Sequence, residues 1–255
     1  MLNFLRKFRR NNINSKYIKY AISEIFLVVI GILIALGINN LNQERKERIK
    51  EQVILKRLKK EFISNRNQLN DKIQFRNGVI ENCVQLLHYY DSPFKSTPEK
   101  VLYLLGNVQP STFDPIQNDL VSSGNIDIIK NEELRQLLIN WSTDVIQLQE
   151  VEQMYLRHYE QSYFPYVNQI GIQRDVAYSS WSNVQKILID NKQVDNPIPG
   201  KSKLKKSNNN ALLTDVKLEG IVAWSLNLNM INNQESETLM KRIDGILQTL
   251  DSQIK

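Results

Sequence analysis

The chain has few of the residues that build disulfide frameworks, turn-rich sheets or metal centres. Its single cysteine, Cys83, excludes a disulfide within one copy of the chain. Nine glycines and seven prolines in 255 residues are few, which favours long helices over a turn-rich β fold. Two histidines and one cysteine, far apart along the chain, do not make a zinc site. We predict an all-α protein without a metal or another cofactor.

One stretch of the chain is apolar enough to leave water. Residues 25–38 contain no polar side chain and would form a helix of about 21 Å at 1.5 Å per residue. Residues 17–22 add two tyrosines suited to a membrane interface and a lysine that can snorkel. Together they reach the length that a hydrocarbon core of about 30 Å requires. We predict a transmembrane helix over 18–40.

Two other interpretations of this stretch stay open. The tripeptide Ala35-Leu36-Gly37 resembles the small-x-small site at which signal peptides are cleaved. A buried helix of a soluble protein can be equally apolar. An uncleaved anchor is favoured because Glu24 stands at the apolar boundary, the segment before it is long, and the helical pattern continues past the possible cleavage site.

The positive charge of the chain lies beside this stretch. The net charge is +6, and basic residues next to an apolar helix contact anionic lipid headgroups. Six basic residues precede the stretch and four follow closely, which predicts a cytoplasmic N-terminus and a C-terminal domain outside; counting on to residue 60 reverses the excess. No zinc-finger, helix-turn-helix or RNA-binding motif is present, so we predict the bilayer as a partner and no nucleic acid.

Three residues of the apolar stretch are candidates for function. Glu24 is either an interfacial carboxylate paired with a nearby lysine or an intramembrane carboxylate that serves proton relay or subunit pairing. Gly31 and Ala35 form a small-xxx-small pair that lets two helices approach closely.

The rest of the chain has the periodicity of amphipathic helices. Leu55, Leu58, Phe62, Leu69 and Ile73 fall at helical spacing, and Asn65 interrupts a possible short coiled coil. The predicted divisions are a basic cytoplasmic tail at 1–17, the membrane helix at 18–40, a helical stalk and first bundle helix at 41–90, a helical domain at 91–190, a flexible Lys/Asn/Pro loop at 191–210, and a long helix at 211–255. That last helix is predicted to pack back on the others as an antiparallel bundle.

Aromatic residues share one face of a predicted helix. Tyr155, Tyr159 and Tyr163 are spaced by four residues, and Trp141 could join them across the bundle. Such a stripe is typical of a bundle core. The alternative is an aromatic pocket for a small ligand.

Two segments, "YAISEIFLVVIGILIALGINNLNQERK" at 20–46 and "DLVSSGNIDIIKNEELRQLLINW" at 119–141, resemble a family of single-span proteins of flavobacteria-type bacteria. The family is known as a domain of unknown function. In the second segment the resemblance covers a turn motif with Ser123, Gly124 and Arg135. It implies an anchor in the bacterial inner membrane and a helical periplasmic domain, and it implies no activity.

Catalytic motifs are missing from the sequence. There is no phosphate-binding loop, dinucleotide fingerprint, HExxH or GxSxG. We therefore predict a membrane-anchored interaction, scaffold or sensing module that is not an enzyme, with a protein partner or a second copy bound through helices. The alternatives are an accessory subunit of an ion-driven or transport complex that uses Glu24, and a small-ligand-binding domain or unrecognised enzyme.

Overall fold

The computed structural model describes residues 15–116, 125–181, 194–204 and 209–255. Over these residues the fold is all-α, as predicted, and none of them forms a strand. The chain divides into two compact units, Met1–Ile54 and Leu55–Lys255. The helices are α1 (Ser15–Asp91), α2 (Pro98–Gly106), α3 (Glu132–His158), α4 (Phe164–Gln169), α5 (Gln173–Ser180), α6 (Asn209–Leu212) and α7 (Val216–Gln253).

Short polar side chains begin three of these helices. Thr97 accepts a hydrogen bond from the Lys100 N–H at the start of α2, and Asn131 accepts one from the Leu134 N–H at 2.7 Å at the start of α3. The sequence marks both starts, with Pro98 and Glu99 after Thr97 and two glutamates after Asn131. Asp215 caps α7. Each cap satisfies N–H groups that have no carbonyl partner in the first helical turn.

The backbone stays helical beyond the end predicted for α3. A proline at position 165 would ordinarily end the helix at Phe164. The structure instead has a π-helical turn, Tyr159–Tyr163, and then α4, which contains Pro165 near its start. Proline lacks an N–H and its ring crowds the carbonyl four residues earlier. It is tolerated in the first turn of a helix, so the chain continues after a local change of helical pitch.

The second unit is built on three long helices. The part of α1 from Leu55 onwards runs parallel to α3, and α7 runs antiparallel to both. Five contacts show these directions: Phe62–Trp141, Arg76–Glu152, Lys59–Asp251, Arg66–Asp244 and Arg242–Asp144. The antiparallel packing predicted for the C-terminal helix is confirmed.

The apolar positions that show helical spacing face the bundle core. In α1, Leu55, Leu58, Phe62 and Leu69 are buried. The face of α7 that helical spacing marks in the sequence is buried along its whole length: Leu218, Ile221, Val222, Ser225, Leu228, Leu239, Ile243, Leu247 and Leu250. Burying a leucine or isoleucine side chain contributes about 1.5–3 kcal/mol, so this interface is a large share of the stability of the second unit.

The shorter helices pack where α1 ends and α7 begins. They extend the same hydrophobic core, which here includes Cys83, Leu105, Tyr163, Val176 and Leu218. Helix α2 lies against α5 so closely that a Cβ at Gly106 would be 2.8 Å from the Ser180 Cβ.

We expect Gly106→Ala to lower the free energy of unfolding by about 1–3 kcal/mol, because the added methyl overpacks the α2–α5 contact. The matched control is Gly78→Ala. Nothing lies within 4 Å of a Cβ at Gly78, so alanine should stabilise α1 by about 0.5–1 kcal/mol. Urea unfolding of the full chain in detergent, followed by circular dichroism, measures both. Equal effects of the two substitutions would contradict the close α2–α5 packing.

Candidate functional site

The first unit carries an exposed apolar segment. The helix from Lys19 onward contains an 18-residue window of mean hydropathy 2.7, and none of that window is buried. By length and composition it can cross a membrane. The large side chains of residues 25–38 are all exposed, with fractions between 38% for Ile30 and 66% for Leu27.

The three candidates of the membrane segment lie on this helix. Glu24, Gly31 and Ala35 are all on exposed turns of α1. Nothing lies within 4 Å of a Cβ built at Gly31. At about 100° per residue, the three residues project from the same side of the helix. The small-xxx-small pair therefore has no packed neighbour within the described residues.

The second unit contains a buried ion pair at its centre. Arg76 of α1 and Glu152 of α3 have side chains that are each 1% exposed, and the guanidinium donates to the Glu152 Oε1 atom. A second guanidinium nitrogen of Arg76 donates to the Ser236 hydroxyl of α7 at 2.5 Å. One side chain thus joins all three helices of the bundle.

The same carboxylate holds the segment that follows α2. The Phe113 N–H donates to the Glu152 Oε2 atom at 2.9 Å. Asn65 of α1 exchanges two hydrogen bonds with Ile116, of 2.8 Å to its N–H and 3.0 Å to its carbonyl oxygen. A non-helical segment covers the interior only if its backbone groups find partners. Glu152 and Asn65 supply them.

Opposing effects act on the ionisation of this pair. Burial raises the pKa of Glu152, and the Arg76 charge and the Phe113 N–H act in the opposite direction. Burial likewise lowers the pKa of Arg76, opposed by Glu152. Burying an ion costs several kcal/mol, which a partner charge and hydrogen bonds offset only in good geometry. The pair is therefore stable only while both partners are present.

Polar side chains on α7 continue this layer over three turns. Ser225, Asn229, Asn232, Asn233 and Ser236 are all buried. Their spacing puts them on the face where the rest of α7 is apolar. Asn233 donates to the Asn77 side chain of α1 at 2.7 Å. We call this set, with Arg76, Glu152, Tyr155 and His158, the polar layer.

Several atoms of the polar layer lack a protein partner. Within the part of the chain that the structure describes, no hydrogen-bond partner contacts the Arg76 Nε atom or either polar atom of the Asn232 amide. Asn232 is 0% exposed. A buried polar group without a partner costs about 1–3 kcal/mol. These groups therefore lower the free energy of unfolding relative to an apolar layer at the same positions.

At one end of the polar layer, His158 reaches α7. Its Nε2 atom lies 3.1 Å from the Ile221 carbonyl oxygen and 3.1 Å from the Ser225 hydroxyl. Burial lowers the pKa of His158, opposed by the Ile221 carbonyl. The Tyr155 hydroxyl faces Asn229 and Ser225, and burial raises the pKa of Tyr155. The side chains of His158 and Tyr155 therefore lie in the interface between α3 and α7.

The structure brings the three predicted tyrosines together and leaves Trp141 apart from them. Tyr159 and Tyr163 stack with ring centroids 5.3 Å apart, and Tyr163 donates to the Leu105 carbonyl. Trp141 packs edge-on against Phe62 at 5.1 Å. It lies fourteen residues before Tyr155, or about 21 Å along α3.

The α3 surface carries an open groove of about 540 Å³. Apolar, amide and charged side chains line it: Ile146, Gln149, Glu150, Gln153, Met154 and Arg157. Among the described residues, none of the three tyrosines lines this groove. Their side chains point into the bundle, and an aromatic ligand pocket stays a prediction.

The turn motif is described only in part. Ser123 and Gly124 lie outside the described residues. Arg135 pairs with Glu132 in the first turn of α3 and lies 4.0 Å from Asp127. The motif therefore includes an exposed charge cluster at the start of α3, where the helix dipole favours the acids.

Metal-ligating side chains are scattered over the described residues, which hold no group of three or more His, Cys, Asp or Glu able to bind an ion. Sequence reasoning missed Arg76 and Glu152. The available signal was the run of Ser225, Asn229, Asn232 and Ser236, polar residues at positions where the helical period demands apolar ones.

We expect Glu152→Gln to lower the free energy of unfolding by about 3–5 kcal/mol, because it leaves the Arg76 charge buried without a counter-charge. Replacing both partners, Arg76→Met with Glu152→Leu, should cost clearly less than the sum of the two single substitutions. Urea unfolding of the wild type, Arg76→Met, Glu152→Leu and the double variant measures the coupling. Simple additivity would contradict a direct interaction between the two side chains.

The lowered pKa of His158 predicts a pH dependence. The unfolded chain binds a proton more readily than the folded bundle, so this contribution to stability is complete above the ordinary histidine pKa of about 6.5 and is lost as pH falls through the folded pKa. In His158→Gln, stability should fall less steeply between about pH 7 and pH 5 than in the wild type. An unchanged slope, measured by thermal unfolding, would contradict this assignment.

Comparison with known proteins adds no relative. No protein-family model, curated protein or solved structure matches this chain. The resemblance to single-span proteins of flavobacteria-type bacteria stays a prediction. The exposed apolar segment and the polar layer are therefore the two features that bear on function.

Proposed function

We propose that α1 anchors this protein in a membrane through residues 18–40, and that the helical bundle is an interaction, scaffold or sensing module rather than an enzyme. The bilayer is the first partner, and a protein bound through helices is the second. The proposed site of action is the bacterial inner membrane, with the N-terminus in the cytoplasm and the bundle in the periplasm.

One observation carries the anchor. The apolar window of α1 is entirely unburied. A core helix of a soluble protein buries such a window against other elements, whereas lipid solvates it without a protein partner. A helix also satisfies its own backbone hydrogen bonds, which is the condition for crossing a bilayer. The exposure of these side chains therefore favours contact with lipid over contact with another protein.

The chemistry of the bundle supports a module without catalysis. Two of the perturbed groups at its centre, Arg76 and Glu152, are buried and hold helices and the segment before residue 117 in place. Tyr155, a third, is also buried. A catalytic group must reach a substrate. The exposed chemistry is instead an open face of α3 that carries Ile146, Met154 and Arg157, residue types that suit contact with another protein.

The asymmetry of basic residues supports the orientation. Arg6, Lys7, Arg9 and Arg10 precede the segment with Lys16 and Lys19, and no acidic residue stands among them. After the segment, basic residues alternate with glutamates. Lysine and arginine close to a span are retained in the cytoplasm, so the larger count next to the N-terminal end supports a cytoplasmic N-terminus.

We expect Leu33→Arg to move the protein from the carbonate-washed membrane pellet towards the soluble fraction. A charge at the centre of a span costs about 2.5–3.5 kcal/mol on insertion. Gln43→Arg is the control, because it adds the same charge outside residues 18–40 and should stay in the pellet. Equal fractionation of the two variants would contradict the anchor.

Reporters that are active only inside or only outside the cytoplasm, fused to the C-terminus, test the orientation. We expect activity outside and a full-length mass. Activity inside would overturn the periplasmic bundle. A product shortened by about 37 residues would mean that Ala35-Leu36-Gly37 is a cleaved signal site.

A further inference from the structure

Residues 194–204, which we call the strap, are fixed against α5. The buried Asp175 carboxylate accepts a hydrogen bond from the Ser202 N–H at 2.6 Å. Further hydrogen bonds of 2.8, 3.0 and 2.9 Å join the pairs Trp181–Asp195, Asn196–Tyr178 and Arg174–Gly200. Prolines at positions 197 and 199 restrict the backbone further. The strap therefore has a set shape, which reduces the entropy lost when it binds a partner.

The strap ends in a tip that is both basic and apolar. Leu204 is 100% exposed and follows Lys203, which is also exposed. In the sequence, residues 201–206 contain four lysines and no acidic residue. The tip thus offers positive charge and a large apolar side chain at the same place.

A second exposed apolar residue precedes the start of α2. Phe94 is 84% exposed, and the Lys95 Nζ atom lies 5.9 Å from the centroid of its ring. Lys201 of the strap pairs with Glu99, in the first turn of α2, at 3.4 Å, which brings the strap next to this turn. We call the following residues the lysine end of the second unit: Phe94, Lys95, Lys201, Lys203 and Leu204.

The lysine end lies far from the residue at which α1 enters the second unit. Phe94 follows the end of α1 at Asp91, whereas the second unit begins at Leu55. Along the helix, Leu55 and Asp91 are about 54 Å apart. A partner of the lysine end therefore contacts the opposite end of the bundle from Leu55.

The residue types of the lysine end favour lipid over protein. Its cations are all lysine, which is depleted in protein interfaces, whereas arginine is enriched there. Lysine suits a bilayer surface, because its methylenes lie along apolar groups while its ammonium stays in water near anionic headgroups. Leucine and phenylalanine have no polar end and enter the boundary between headgroups and acyl chains. The open face of α3, with Met154 and Arg157, instead has the residue types of a protein interface.

We propose that the lysine end binds an anionic phospholipid surface other than the membrane that holds α1, so that the protein links two membranes. This goes beyond the proposed function and rests on its anchor. The lysines supply electrostatic attraction, and Phe94 and Leu204 supply apolar area that lipid covers. Many copies anchored in one membrane act together on the opposite surface.

Capture between vesicles tests the proposal. The full chain is reconstituted in donor vesicles of phosphatidylcholine and mixed with acceptor vesicles of phosphatidylcholine and phosphatidylglycerol in equal parts. We expect at least about tenfold more capture of these acceptors than of acceptors made of phosphatidylcholine alone. Added salt should weaken capture, because exposed charges are screened over about 10 Å at 0.1 M. Equal capture of the two kinds of acceptor, or no capture, would overturn the proposal.

Matched variants assign the capture to the lysine end. Lys203→Glu with Leu204→Ser should reduce it at least about fivefold, because one charge is reversed and the apolar tip is removed. The control, Lys241→Glu with Ile146→Ser, changes an exposed lysine and an exposed isoleucine elsewhere in the second unit and should leave capture unchanged. Equal effects of the two variants would contradict the proposal. So would undiminished capture by the tip variant, which would point to the basic residues before position 17.

A polarity-sensitive fluorophore reports contact at the tip itself. It is attached to Leu204→Cys and, as the control, to Ile146→Cys. Native Cys83 is buried, and burial raises the pKa of its thiol to about 12, so it does not react. We expect anionic acceptors to move only the emission of the Leu204→Cys label towards that of an apolar environment. A shift at both positions would overturn the proposal, and a shift at neither would leave a protein as the partner of this end.

Flotation of the donor vesicles separates this proposal from the anchor. Chains that float with the donors and capture no anionic acceptor overturn the lipid contact alone. Chains that do not float with the donors overturn the anchor and, with it, the link between two membranes. A shift of the Leu204→Cys label in dilute donors that contain phosphatidylglycerol, without acceptors, would mean contact with the anchoring membrane and would also overturn the link.

Discussion

The arrangement of the second unit depends on one buried hydrogen-bonded ion pair. Arg76 comes from α1 and Glu152 from α3, and the Ser236 hydroxyl of α7 accepts a second hydrogen bond from Arg76. The carboxylate also holds the Phe113 N–H. Because all four groups are withdrawn from water, none can be lost without leaving another unpaired. The relative register of the three helices and the position of the segment after α2 are thus tied to the same few atoms.

This arrangement favours specificity over stability. An apolar layer at Ser225, Asn229, Asn232 and Ser236 would pack without buried polar atoms, and replacing buried ion pairs by well-packed apolar residues is often neutral or stabilising. Polar residues instead restrict how α7 can slide along its neighbours, since each shift breaks directional bonds. We infer that the polar layer sets register, as buried polar groups do in other helical assemblies.

The two units differ in whether the apolar side chains of α1 are buried. From Leu55 onwards, the apolar side chains of α1 that face the bundle, such as Leu58, Leu69 and Leu86, are buried. Before Ile54 they are exposed, although this segment is the most apolar of the chain. Fourteen consecutive residues without a polar side chain are costly to expose to water. The proposed anchor, with lipid around residues 18–40, accounts for this exposure.

Local patterns in the sequence determined much of this protein. Helical spacing marked the buried face of α7, Thr97 and Asn131 marked two helix starts, and uninterrupted apolar residues marked the exposed apolar segment of α1. Each of these signals acts within a few residues, through a cap or a helical turn. Only the tertiary structure decided that Arg76 meets a carboxylate 76 residues away and a hydroxyl 160 residues away. It also decided that Trp141 packs on Phe62 rather than with Tyr155. The physical reason is that a helix repeats every 3.6 residues whatever its neighbours are, whereas a pairing between helices depends on register and direction. Those follow from packing the whole bundle at once.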